Sequence, residues 1–303
     1  LRRAFIAFLS LAVMIGFIFF FESCGGGKKK DGEKSDIKEE MTKTDSAKDS
    51  RVVNVGGKLF SIPSPIQTAY LIKRSGASFD EELLNDPSQA SKYATKFEKA
   101  INLGIYGADL GYVTIYDNTQ NAFNYLNAVQ TLARDIGLGS AFDKSLIKRF
   151  KKNMGKKDSM LNLVSDAYRS ADNYLKKNDR TDVAGMVLAG GWIEALYFAT
   201  DVAKKGNQKV KERVAMQRTS LNNLIQLLSR KRGNEDVNDL VEDLEGLYGI
   251  FENVKITYKH KEPVTKPKEK TTVLKSKTTV EISDAQVDSI HRQIKDIRNQ
   301  ITD

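Results

Sequence analysis

Residues able to carry chemistry gather in two glycine-bearing stretches. The first is Asn102–Tyr116, NLGIYGADLGYVTIY, where Tyr106, Asp109, Tyr112 and Tyr116 accompany Gly104, Gly107, Ala108 and Gly111. The second is Leu188–Asp201, LAGGWIEALYFATD, with Gly190 and Gly191 beside Trp192 and Glu194 on one helical face with Asp201. A glycine inside a helix costs up to about 1 kcal/mol relative to alanine, so three of them between positions 104 and 111 need a reason. Two reasons stand open. Small residues let helix backbones approach closely, with Trp192 filling a core gap. Alternatively the glycines open a cleft in which Tyr106, Asp109, Tyr112, Trp192 and Glu194 bind a small ligand. If the two stretches touch, Asp109 and Glu194 lie in or near one polar pocket, and paired carboxylates are the equipment of acid–base hydrolysis. A buried Asp109 needs a hydrogen-bond or charge partner.

A third feature is basic. Lys144, Lys148, Arg149, Lys151, Lys152, Lys156 and Lys157 interleave with Leu146, Ile147 and Phe150. A second basic set, between Lys255 and Lys277, supplies much of the formal charge of +9. Such charge suits nucleic acid, anionic lipid, lipopolysaccharide or an acidic protein, or is a solvated surface. The N-terminal segment argues against nucleic acid, and a protein or lipid of the cell envelope is the expected partner. His260 and His291 stand alone, and one cysteine cannot form an intrachain disulfide or a Cys-rich metal site. There is no Walker loop, G-x-S-x-G elbow, dinucleotide fingerprint or metal-ligand spacing. No catalytic residue, cofactor or metal is expected.

The elements that must position these residues are helices. Five prolines in 303 residues favour long helices over a loop-rich β fold. Apolar residues recur at three-to-four spacing through Tyr93–Tyr112, Phe123–Ile136, Phe142–Phe150, Leu161–Leu175, Val183–Lys204, Val210–Ser229 and Val237–Phe251. Ser64-Pro65 opens an earlier helix, and Ser78 a short one over Phe79–Asn85. Joining loops are short, so neighbours should pack antiparallel. The expected fold is mainly α: a multi-helix bundle, or an irregular helical-hairpin array, with a small β element near the C-terminus. Val254–Tyr258 and Thr271–Ile282 read as strands, and pairing with 58–62 is expected. Ser283-Asp284 caps a last helix, Ala285–Ile301, whose isoleucine stripe should dock on the body.

The organisation follows as 1–23 a signal peptide, 24–51 a disordered tether, 52–253 a helical domain, and 254–303 strands, basic linker and docking helix. Arg2 and Arg3 precede an apolar run from Ala4 to Phe21, then Phe21-Glu22-Ser23-Cys24. An uncleaved anchor is the alternative, since the run is long enough to span a bilayer. Residues 25–51 carry eight Lys/Arg and seven Asp/Glu with almost nothing to bury.

Phe21–Cys24 resembles the bacterial lipobox, in which a small residue precedes a cysteine that is lipidated and becomes the new N-terminus; Glu22 departs from the pattern. FSIPSPIQTAYLIKRSGASF, NLGIYGADLGYVTIY and LAGGWIEALYFATD resemble helical lipoproteins of the Bacteroidota that carry no assigned activity. That resemblance implies lipidation (palmitate) at Cys24 and an outer-membrane lipoprotein. Lys28–Lys30, the first charged residues after the cysteine, favour by the same resemblance the periplasmic side over the cell surface. Two functions are expected from these readings: a non-enzymatic scaffold or adaptor for another envelope component, or a small-ligand-binding lipoprotein with its pocket at 102–116 and 188–201.

Overall fold

The computed structural model describes residues 50–303, apart from 56–57, 143, 154–155, 179, 231–232, 267–270 and 274–276. The signal peptide, Cys24 and the tether up to residue 49 lie outside the described residues. The rest falls in one compact unit, 47–303.

The chain is mainly helical. After the hairpin β1 (Ser50–Val55) and β2 (Lys58–Pro63) come α1 (Pro65–Arg74), α2 (Lys96–Ile115), α3 (Thr119–Asp135), α4 (Lys144–Lys152) and α5 (Lys157–Lys177). Then follow α6 (Thr181–Lys204), α7 (Gln208–Ala215), α8 (Arg218–Ser229) and α9 (Glu235–Glu252). Strands β3 (Lys255–Lys259), β4 (Val264–Lys266), β5 (Thr271–Val273) and β6 (Lys277–Glu281) lead into α10 (Asp284–Thr302).

Local sequence sets the boundaries. Thr95 and Glu98 form a capping box at the start of α2, and Ser283 and Gln286 another at α10. Asn118, Asn207 and Asn234 accept from backbone N–H groups at the starts of α3, α7 and α9. Gly137 and Gly206, at φ +76° and +90°, end α3 and α6 in the left-handed conformation that glycine adopts freely.

At the centre α2 and α6 cross in close contact, the bland reason for their glycines. A Cβ on Gly104 would strike the Val187 carbonyl and lie 2.7 Å from the Gly191 nitrogen; one on Gly190 would strike the Ile101 carbonyl. Gly111 and Gly191 give similar room to Ile66 and Pro65 of α1, at 3.0 and 3.1 Å. Helix α6 is long and apolar enough to cross a membrane, but its apolar stretch is 94% buried within the protein. It is the core helix around which α1, α2, α7 and α10 pack.

Three local expectations differ from the structure. The C-terminal strands do not pair with 58–62: β2 pairs with β1, β3 with β6 and β4 with β5, all antiparallel. β1–β2 and β4–β5 join neighbours in sequence, while β3–β6 encloses β4–β5, so every pair closes within its own segment of chain and none reaches back across the helices. Phe79–Asn85 is not an α-helix; Asp80 caps a single 3₁₀ turn at Glu81–Leu83. The apolar run from Val210 to Ser229 is two helices, broken at Met216-Gln217. There Gln217 accepts from Trp192 Nε1 at 3.3 Å, satisfying the buried indole.

Candidate functional site

The cross of α2 and α6 brings Asp109 and Glu194 together. Both carboxyls are fully buried. Asn85, in the loop before α2, donates through one Nδ2 to Asp109 Oδ2 at 3.0 Å and Glu194 Oε1 at 3.2 Å. Arg298 reaches in from α10. Its Nε donates to Glu194 Oε2 at 2.7 Å and its Nη2 to Glu194 Oε1 at 3.2 Å. Such a two-point contact is the strong form of a carboxylate–guanidinium pair. The same Nη2 donates to the Leu83 carbonyl at 3.1 Å, and the guanidinium lies 4.6 Å from the Tyr197 ring centroid.

This group holds two acids and one cation. Glu194 owns the cation; Asp109 Oδ1 receives no donor from a neighbour. Burial pushes the Asp109 carboxyl well above the usual carboxylate range, and the negative charge of Glu194 pushes it further. Of the two acids, Asp109 is the one whose surroundings most favour the neutral form. Burial also raises Glu194, against the pull of Arg298. Three tyrosines ring the pair. Tyr125 Oη donates to the Asn85 carbonyl at 2.6 Å, Tyr106 Oη to the Asp86 carbonyl at 2.9 Å, and Tyr93 Oη to the Thr302 carbonyl at 3.4 Å. Burial raises the phenols of Tyr93, Tyr106 and Tyr125 above their ordinary range, so all three stay neutral donors.

The five residues of the expected ligand pocket are thus in the core. Tyr106, Asp109, Tyr112 and Glu194 are fully buried and Trp192 nearly so. Asp109 and Glu194 meet, as a hydrolytic pair requires, but packed side chains rather than an open cleft surround them. Tyr112 accepts from the Asp80 backbone N–H at 3.2 Å and stacks on Phe79. Trp192 stands apart, beside a void of about 10 Å³ too small for more than a water.

Cavities lie to either side. One of about 370 Å³ is bounded by the 75–80 loop, Leu83, Tyr112, Asp201, Lys205 and Asn207. In it Lys205 Nζ sits 2.7 Å from Asp201 and 3.1 Å from Asp80. Another, of about 250 Å³, lies where Lys96, Thr181 and Asn234 begin three helices, with Lys96 paired to Asp182 at 2.9 Å. Among the described residues no three His, Cys, Asp or Glu side chains gather as metal ligands do.

The basic residues Lys148, Arg149, Lys151 and Lys152 sit exposed on α4, whose Leu146 and Phe150 are buried. Arg149 pairs with Asp166 at 3.1 Å, and Lys151 lies over the Phe123 ring. Asn85 and Arg298 were invisible as site residues in the sequence. The one available signal was that Arg298 falls on the stripe of Ile294, Ile297 and Ile301, where a cation needs a buried anion.

Against known proteins the chain is without a match: no family model, curated protein or solved structure aligns with it significantly.

Proposed function

We propose that the chain is a lipid-anchored cell-envelope protein that works without catalysis, as a scaffold or adaptor holding another envelope component near the membrane. The observation that carries this reading is the closed carboxylate cluster. Asp109, Glu194 and Arg298, the side chains best equipped for acid–base chemistry, are spent joining α2, α6 and α10. A rigid helical body on a charged tether, with lysines facing outward, suits holding rather than turnover. The lipobox-like Phe21–Cys24, Lys28–Lys30 and the resemblance to Bacteroidota lipoproteins support an anchor at Cys24 on the periplasmic face of the outer membrane.

Crosslinking in intact cells tests it. A C-terminally tagged chain should recover one abundant envelope protein, and Cys24→Ala should lose it. A recovery that is unchanged by Cys24→Ala, or no partner above background, refutes the anchored adaptor.

A second reading, a small-ligand-binding lipoprotein, is favoured by the 370 Å³ cavity, because Tyr112 and Asp201 from the two glycine-bearing stretches both line it. Its test is a screen of small amines and sugars for a rise in melting temperature that Asp201→Asn abolishes.

A further inference from the structure

The segment between α9 and α10 is nested: β3 pairs with β6 and, inside them, β4 with β5. These two antiparallel pairs, in described residues 255–266, 271–273 and 277–281, are referred to together as the ribbon. Among its described residues the apolar contacts with the core are at the root, where Ile256 and Val280 pack. Beyond that root β3 and β4 are exposed on both faces. A two-stranded ribbon without a third strand or a covering helix is marginal in water.

Its composition is two-sided in chemistry. Its described residues hold five lysines against two glutamates, a net +3. Yet Tyr258 is 62% exposed, and Val264 and Val273, paired across the strands, are 39% and 41% exposed. Elsewhere in the described residues only Tyr70 and Met216 are large apolar side chains so exposed. Helix α4 is as basic, but its apolar residues point inward, so its lysines are an ordinary solvated face. On the ribbon, charge and apolar groups face outward together.

We propose that this ribbon seats on an anionic lipid surface. Lysines at a bilayer meet the headgroup phosphates, while a tyrosine ring and valines enter the boundary between headgroups and acyl chains. An acidic protein would satisfy the lysines alone. The proposal rests on the membrane-anchored reading for its setting only. A tether that keeps the body near a bilayer gives a weak ribbon contact a high effective concentration.

The test uses the full chain with Cys24→Ala and Thr265→Cys, so that one thiol on β4 carries the environment-sensitive dye NBD. Vesicles are phosphatidylcholine alone, or phosphatidylcholine with a third phosphatidylglycerol. We expect a blue shift and brightening on the anionic vesicles only, reversed by high salt. Lys259→Gln should weaken the response about fivefold, since a lysine near an anionic surface contributes about that factor. Tyr258→Ser with Val264→Ser should abolish the blue shift while circular dichroism stays unchanged. Unshifted emission on both vesicles overturns the proposal. An equal response to soluble poly-glutamate also overturns it and assigns the ribbon to an acidic polypeptide. Failure here leaves the adaptor reading standing, and failure of the in-cell crosslinking leaves the vesicle result standing.

Discussion

Asp109 has no cation of its own, and this sets its behaviour with pH. The groups facing it are Glu194 from α6, Arg298 from α10, Asn85, and the neutral phenols of Tyr93, Tyr106 and Tyr125. Its folded-state pKa is raised, so the folded chain holds a proton that the unfolded chain releases near the ordinary value of 3.8. The stability this provides is whole below that value and is lost as pH climbs to the folded-state pKa. Asp109→Asn mimics the neutral acid and can still donate to Glu194. In urea titrations the stability advantage of wild type over Asp109→Asn should shrink steadily above pH 4; a constant difference would mean an ionised Asp109. Glu194→Gln is a different matter. It leaves Arg298 buried without its anion and should cost about 3–5 kcal/mol, while adding Arg298→Met should recover part of the loss. The pairing of Asp109 with Glu194 was half legible in the sequence, because the glycines gave a reason for the two stretches to touch. The Asn85 bridge was not, since a loop asparagine carries no periodicity.

At the scale of elements, the glycines divide into those that a methyl group cannot replace and those it can. Gly104→Ala and Gly190→Ala push a Cβ into the backbone of the opposing helix, where no side chain can swing aside. Each should destabilise by at least about 2–3 kcal/mol, as overpacking does, and lower the melting temperature sharply. Gly249 in α9 meets nothing within 4 Å, and Gly249→Ala should raise stability by up to about 1 kcal/mol. Calorimetry on the three variants checks the contrast; equal effects would mean that α2 and α6 are not in contact. The apolar stripes made most helices legible, because a buried face repeats with the helical turn whatever it packs against. The break at Met216-Gln217 was hidden because Val210, Val214, Leu221 and Leu224 hold the same phase across it. At the break Gln217 faces inward and accepts from the Trp192 indole, a tertiary contact that periodicity does not register. Strand pairing was misjudged for the opposite reason: β sequence marks a strand but not its partner.

For the whole molecule, the ribbon is an exposed excursion between two helices that belong to the same core. Within the helical body, C-terminal to residue 51, limited trypsin treatment should cut first at Lys259 or Lys261, while α9 and α10 stay packed. The nicked chain should elute as one species and separate into two pieces only in denaturant; early cleavage inside α2 or α6 would contradict the fold. The packing of α10 has a temporal consequence too. Arg298 follows Glu194 by 104 residues. A chain made from its N-terminus has α2 and α6 available before the guanidinium that pairs with Glu194. Until α10 docks, closing the cross means burying the Glu194 carboxyl without its cation, which disfavours closure. The core thus waits on its final helix, and a chain truncated before Asp284 should be digested by protease at α2 and α6 faster than the whole chain.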